Sequence, residues 1–401
     1  MKKENVYGTF GILPKEEMLS VKEDFKKLVI GVPKESSFQE NRIALTPDAV
    51  SLLTHNGHTI VLQSEAGLQS NFLDSEYADA GAQIVFSGEE VFESNIIVKI
   101  EPPTKSEIKL MKKGQSLISA IQLKTRDKSY FETLLKKEIT SIAIEHIRDH
   151  QNRLPLLRSM SEIAGNTSVL IASEYLSNVN SGKGLLLGGI AGVLPTEVVI
   201  VGAGTVAEYA CRTLLSLGAN VRVYDTSIYR LRRLNELTNR SISTCVINPK
   251  SLRKSLQRAD VVIGALRSGD GRTPCVVSEK MVQIMKPGSV IVDVSIDHGG
   301  CFETSEVTSH KSPIFIKHDV IHYCVPNIPS RVARTSSLAI CNIISPILLK
   351  IGEEGGVNNL IKSDKGIRQG VYSFQSMMTN KTLSEMFGFP FKDLDLIISA
   401  L

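Results

Sequence analysis

From residue 27 onward, short apolar runs alternate with stretches whose apolar residues recur every three or four positions. KLVIGV (27–32), TIVLQ (59–63), AQIVF (82–86), NIIVKI (95–100), SLISAIQ (116–122) and TSIAIEH (140–146) predict strands. Between them, TPDAVSLLTHNG (46–57) predicts a helix with Thr46 as N-cap, Pro47 at its first position and Gly57 as its stop. DSEYADAG (74–81), KSEIKLMKKG (105–114) and KSYFETLLKKE (128–138) predict shorter helices, and a long one is expected over 161–178. A second series of strands follows: VVIVG (198–202), NVRVYD (220–225), ISTCVI (242–247), DVVIGAL (260–266) and SVIVDVS (289–295). After residue 330 the pattern turns helical again, in TSSLAICNIISPILLKIG (335–352). Strand–helix alternation of this kind makes parallel sheet with helical crossovers. The expected class is α/β: two doubly wound parallel-sheet domains of the Rossmann type with a cleft between them.

The segment TEVVIVGAGTVAEYACRTLLSLGANVRVYD (196–225) carries chemistry as well as pattern. Gly202-Ala203-Gly204-Thr205-Val206-Ala207 is a G-x-G-x-x-A turn between a strand and a helix. Gly202 permits the tight turn, Gly204 lets backbone approach a pyrophosphate, and Ala207 is small enough for close helix–strand packing. A helix beginning there, with Thr205 and Val206 in its first turn, offers free N–H groups to phosphate. Asp225 ends the next strand, where a carboxylate accepts from ribose hydroxyls and favours NAD over NADP. Arg230, Arg232 and Arg233, close behind, read as a solvated helix face.

In parallel α/β sheets ligands gather beyond the carboxyl ends of the strands. Four polar residues fall there: Arg42 in QENRIALTP, Lys99 in NIIVKIEPP, Gln122 in LISAIQ and Asp297 in SIDHGGCF. Arginine suits a carboxylate substrate, and a lysine at a partly buried strand end can polarise a carbonyl or act as a base. The residues therefore point to an NAD-dependent enzyme for a small carboxylate with a carbonyl or amine centre.

Composition changes little. The 401 residues are 42% hydrophobic and 22% charged, with a net charge of +4, so nothing argues for a nucleic-acid partner. The six cysteines form no C-x-x-C pair and have no zinc spacing, which suits reduced residues of a cytoplasmic protein and no metal. The apolar region 184–201 is interrupted by Pro195, Thr196, Glu197 and glycines, so no membrane span is expected there.

The stretches VPKESSFQENRIALTPDAV, KIEPP, SMSEIAG, GKGLLLGGIAGV, GAGTVAEYA, RADVVIGAL, MKPGSVIVDVSIDHGGCFE and HYCVPNIPSRVART resemble the alanine dehydrogenase family, which is related to the NAD-binding part of transhydrogenase. The resemblance implies reversible oxidative deamination of L-alanine to pyruvate and ammonium with NAD. It implies a discontinuous substrate domain (27–155 plus 334–401), an inserted NAD domain (156–333) and a leader, 1–26, outside the match. It implies that Arg42 binds the substrate carboxylate, that Lys99 contacts the keto oxygen and that Asp297 is an acid/base. Met160, Ser161 and Asn327 would approach substrate or nicotinamide, with Ala265, Leu266, Asp297, Ser161 and Asn327 adding to the cofactor contacts. A homo-oligomer, usually a hexamer, is implied too. Three departures stand out. Gln122 occupies the place of the family's catalytic histidine, and a carboxamide does not titrate near neutrality. LRSGDGRTP (266–274) is more polar than usual, and NIPSRVA leans toward the transhydrogenases. With the histidine absent, proton transfer is expected of Lys99, its pKa lowered by a neighbouring Arg42. A dehydrogenase for another 2-amino or 2-oxo acid, a transhydrogenase-like hydride carrier and a non-catalytic NAD(H) sensor remain alternatives.

Overall fold

The computed structural model describes residues 25–37, 39–122, 126–267 and 272–399. Six strands open the chain: β1 (Val29–Val32), β2 (Thr59–Gln63), β3 (Gln83–Val85), β4 (Ile96–Val98), β5 (Ser116–Ser119) and β6 (Thr140–Ala143). Seven follow: β7 (Glu197–Val201), β8 (Asn220–Asp225), β9 (Ser243–Val246), β10 (Val261–Gly264), β11 (Val290–Asp293), β12 (Ile314–Lys317) and β13 (Val320–Tyr323). Two more, β14 (Val371–Phe374) and β15 (Met377–Met378), close the set. They assemble into an eight-stranded sheet, β15-β14-β6-β5-β4-β1-β2-β3, and a seven-stranded sheet, β12-β13-β11-β10-β7-β8-β9. Each is doubly wound: the chain runs outward from β1 to β3, then returns to lay β4 on the other side of β1, and repeats this around β7. Strands β10 and β11 are buried along their whole length, as parallel strands covered by helices on both faces must be.

All eleven strands expected from the apolar runs are present, most of them shorter than the runs. The pattern did not announce four others. β12 and β13 form an antiparallel hairpin whose two turn residues, His318 and Asp319, both take positive φ. That is the geometry of the tight hairpin turn, made here without the usual Asn-Gly signal. β14 and β15 lie in the tail expected to be helical, and β14 pairs antiparallel with β6 across more than half the chain.

Two long helices run between the sheets. Pro155–Leu176 begins six residues before the expected start, with Pro155 in its first turn. Ala333–Glu353 leads the chain back to the first sheet, and Ile340, Ile344, Leu348 and Ile351 on it join the first core. This region has the length and apolarity to cross a membrane, but its apolar face is buried in protein. Thr46 does occupy the N-cap of helix Pro47–His55 but makes no capping hydrogen bond. Its hydroxyl turns to Cys341 Sγ on the returning helix, 3.4 Å away.

Candidate active site

Both sheets have their switch point where the candidate residues lie. In the second sheet, β7 and β10 lie side by side at the glycine turn. Gly202 has φ +119°, and a Cβ built on it would lie 2.3 Å from the carbonyl oxygen of Ala265. Only glycine fits there. Gly204 differs: a Cβ on it would meet nothing within 4 Å. It caps the helix Thr205–Ser216, whose first N–H groups face that open space. Ala207 is fully buried. The helices on either side of the turn touch closely, because a Cβ on Gly165 would lie 2.5 Å from Val206 O.

Asp225 is buried, and its carboxylate accepts from the turn itself: Oδ2 from Ala203 N–H at 2.7 Å and Oδ1 from Ser227 N–H at 2.8 Å. It thus braces the turn while its remaining lone pairs stay available to a ribose. Arg230 and Arg232 are exposed and Arg233 leans on Glu208, 3.3 Å away, as a solvated helix face requires. The open cradle at Gly204, the free helix terminus and the carboxylate fit a dinucleotide.

In the first sheet, the loop after β1 carries Arg42 to the interface of the two lobes. Its Nε and Nη2 donate to Glu40 at 2.7 and 2.5 Å. Its Nη1 lies 3.4 Å from Met160 Sδ. The side-on edge of the guanidinium is therefore occupied by Glu40, and beyond these contacts one N–H remains on each Nη. Burial works to raise Glu40, but the Arg42 charge and hydrogen bonds outweigh it and hold the carboxyl below its usual range. Asn327, in left-handed conformation, joins this pair to the second lobe: its Nδ2 donates to Glu40 Oε2 at 3.0 Å, and its backbone N–H donates to Asp297 Oδ1 at 2.9 Å. Asp297 sits in the short 3-10 turn Val294–His298 and reaches the cleft surface. The surrounding lobes still desolvate it enough to raise it above its ordinary range, against the lowering effect of Asn327 and Arg42. Further bonds close the lobes here, from Asn41 N–H to Ser330 Oγ at 2.9 Å and from His310 N–H to Gln39 Oε1 at 2.8 Å. Arg42, Met160, Asn327 and Asp297 therefore come together. The Ser161 hydroxyl is turned onto its own helix, donating to Leu157 O at 2.8 Å.

Lys99 is placed differently from its expected setting. Its side chain is 1% exposed, and its ammonium lies 2.7 Å from Glu107 and 3.7 Å from Glu35. The charges against it are carboxylates, not the Arg42 cation, so the reason for choosing Lys99 as the proton carrier falls away. The cause is local: Glu107 belongs to the capping box that starts helix Lys105–Leu110 and points back at the end of β4. Gln122, with φ +45°, instead meets Glu101, its Nε2 donating to Oε2 at 2.6 Å. Ala265 and Leu266 lie in described structure, whereas 268–271 of the polar stretch and 123–125 after Gln122 lie outside it.

Sequence reasoning missed three acids. Glu40 could have been found two residues before Arg42, and Glu101 two after Lys99. Glu35, whose Oε1 accepts from Ile100 N–H at 2.6 Å, carried no spacing signal. Burial pushes Glu35 up to about 8, with Lys99 opposing, and the nearer carboxyl to Lys99 is that of Glu107, at 2.7 Å. The unfolded chain ionises this carboxyl near 4.5 and the folded chain near 8, so its contribution to stability is fully present below 4.5 and is lost as pH rises to about 8. Glu35→Gln is expected to remove that loss. Melting temperatures measured from pH 5 to 8.5 should fall less steeply in the variant than in the parent, and parallel curves would contradict the assignment.

Among the described residues no group of three His, Cys, Asp or Glu could hold a metal ion. Residues 31–164 match the model of the alanine dehydrogenase/PNT N-terminal domain, and residues 168–381 match that of the C-terminal domain. An alanine dehydrogenase of Methanococcus maripaludis is 39% identical over 366 residues, 91% of this chain and 98% of the relative. One of Staphylococcus haemolyticus is 36% identical over 367 residues, with the same coverage. A solved L-alanine dehydrogenase superposes with a TM-score of 0.85 at 35% identity, over 90% of this chain and 99% of the other. A transhydrogenase from Sinorhizobium meliloti, 22% identical, shares the fold with a TM-score of 0.76 over 88% of this chain and 99% of its own. With both domain models matched in order and relatives above 35% identity along nearly their whole length, the chain belongs to the alanine dehydrogenase/PNT family.

Proposed function

We propose that the protein is an NAD-dependent alanine dehydrogenase, interconverting L-alanine with pyruvate and ammonium. The observation that carries this reading is the bridge Arg42–Glu40–Asn327–Asp297. It sets a guanidinium with one free edge and an acid with a raised pKa beside each other, between the carboxyl ends of two doubly wound sheets. The end-on edge of Arg42 takes the substrate carboxylate. Asp297 faces the amine side, and Met160 packs against the guanidinium. Gly202, Gly204, Thr205, Val206, Ala207 and Asp225 hold the dinucleotide, with Ser161, Ala265, Leu266, Asp297 and Asn327 toward its nicotinamide end. When bound, NAD accepts the hydride from the substrate Cα. The protein's share of the work is positioning, which can supply several kcal/mol, and exclusion of water by the contacts between the 39–42 loop and the second lobe.

The chain is proposed to work in the cytoplasm as a homo-oligomer, hexameric as the family resemblance implies. Support comes from the loop 185–194, where Leu186, Ile190, Val193 and Leu194 all stand exposed, a run of apolar surface that self-association would cover. A second reading, a dehydrogenase for a more polar 2-amino acid, is favoured by the Glu101–Gln122 pair, a poor wall for a methyl group. One assay separates them: purified protein, NAD and a panel of 2-amino acids, followed at the NADH absorbance. L-alanine is expected to give the highest kcat/KM. A polar amino acid preferred more than tenfold would move the assignment to the second reading.

A further inference from the structure

We propose that Glu101, oriented by Gln122, is the catalytic residue that carries the proton between water and the amine nitrogen. This rests on the amino-acid dehydrogenase reading above.

The geometry points there from three sides. Glu101 directly follows the end of the strand run that opens the first sheet's switch point, and the residue is 8% exposed. One oxygen accepts from the Gln122 carboxamide at 2.6 Å. The carboxyl also lies within side-chain hydrogen-bonding reach of Glu40, the acid that grips Arg42. Two carboxyl groups that close cannot both be ionised without cost, so the charge on one raises the pKa of the other. Glu40 is held ionised by Arg42 and Asn327, and the proton falls to Glu101. Burial and the Glu40 charge raise Glu101 to about 7, with Arg42 and Gln122 opposing. The charged groups acting on it are Glu40, Arg42 and Glu35 from the loop after β1; Lys99, paired with Glu35 and Glu107, lies beyond Glu35, and Glu145 stands behind Gln122. The last accepts from the backbone N–H groups of Ile121 and Gln122 at 2.8 and 3.4 Å. Gln122 is thus fixed through its backbone and aims its amide at Glu101. A carboxamide cannot titrate, but it can hold the group that does.

The steps balance. After hydride leaves Cα the substrate is an iminium ion. Water adds to Cα: the C–O bond forms, the C=N π pair moves to nitrogen, and the water proton passes to the Glu101 carboxylate. Glu101 then gives this proton to the amine nitrogen. The C–N bond breaks with its electron pair on ammonia, the carbonyl forms, and the hydroxyl proton returns to Glu101 and from there to solvent.

The test is the pH dependence of kcat/KM for L-alanine oxidation in the parent, Glu101→Gln and Gln122→Ala, with NADH binding as the check on folding. The base must be ionised, so the parent should lose activity tenfold per pH unit below about 7. Glu101→Gln should lose about 100-fold at the plateau and lose that limb. Gln122→Ala should move the limb to higher pH, since the amide favours the charged carboxylate. Infrared difference spectra of the NADH-loaded proteins, taken in a Glu35→Gln background to remove that carboxyl's own band near 8, give a readout without turnover: a protonated-carboxyl band titrating near 7 should be present there and absent when Glu101→Gln is added. A limb unchanged in Glu101→Gln, or no such band in the Glu35→Gln background, overturns the proposal alone. A parent that binds NADH and oxidises no 2-amino acid overturns the functional reading and this role with it.

Discussion

Arg42→Met is expected to abolish alanine turnover, lowering kcat/KM by about 10,000-fold while NADH still binds. Hydrogen bonds to a charged group contribute about 1.5–3 kcal/mol each, and the end-on edge of Arg42 offers two to a carboxylate. Losing both accounts for roughly 100-fold to 10,000-fold. The rest comes from Glu40. In the parent its charge is neutralised by Nε and Nη2 at 2.7 and 2.5 Å. Without the guanidinium, an enclosed carboxylate is left unneutralised beside the place proposed for the substrate's own carboxylate, and the two repel. Breaking a buried pair by removing one partner costs about 3–5 kcal/mol of stability. The variant should therefore melt well below the parent, and more so at alkaline pH, where Glu40 is forced to ionise without a counter-ion. Arg42→Lys separates the contributions. It restores the charge but not the planar fork, so stability should largely return and turnover should not. An Arg42→Met enzyme within tenfold of the parent in kcat/KM would show that the substrate carboxylate binds elsewhere.

What the sequence made legible follows from the range of the interactions involved. Strand and helix identities come from local periodicity, and the eleven strands that could be anticipated are those with apolar runs bounded by turn residues. The glycine turn was legible because its demands are also local: a positive φ at Gly202, open space at Gly204 and a carboxylate one strand later. β14 was hidden because its partner, β6, is more than 200 residues away and four buried residues carry no period of their own. The substrate side was legible only in part. That Arg42, Met160, Asn327 and Asp297 converge could be expected from their places at strand ends and from family likeness. Which lysine or acid faces the cleft could not, because it depends on how one capping residue, Glu107, turns back onto Lys99. A two-residue step along the end of β4 separates an enclosed lysine from a carboxyl held by Gln122 and raised by burial and the Glu40 charge. No spacing rule in a single sequence resolves that step.

The two glycines of the dinucleotide turn should fail in different ways, and the contrast tests the cofactor site most sharply. Gly202→Ala places a Cβ 2.3 Å from the Ala265 carbonyl oxygen and 2.5 Å from its carbon, backbone atoms that cannot swing aside. It also forces an L residue to φ +119°, a region such residues rarely adopt. Relief requires the ends of β7 and β10 to part, which breaks the Ala265 N–H bond to Val201 O at 2.7 Å, or Gly202 itself to shift, which strains its N–H bond to Tyr224 O on β8 at 2.6 Å. This variant should lose both stability and NADH affinity, the latter by on the order of 1,000-fold given two disrupted buried bonds and a displaced turn. Gly204→Ala has an ordinary φ of −85° and meets nothing within 4 Å. Its melting temperature should stay close to the parent's, because the small entropic gain of replacing glycine offsets the poorer cap. Its methyl group nonetheless stands where a pyrophosphate must approach the helix terminus, so NADH affinity should fall about 100-fold with the fold intact. Fluorescence titration of NADH and thermal melts on the same samples read both quantities. If Gly204→Ala binds NADH as the parent does, the open space before the helix is not where the phosphates lie, and the dinucleotide must be placed elsewhere on this lobe.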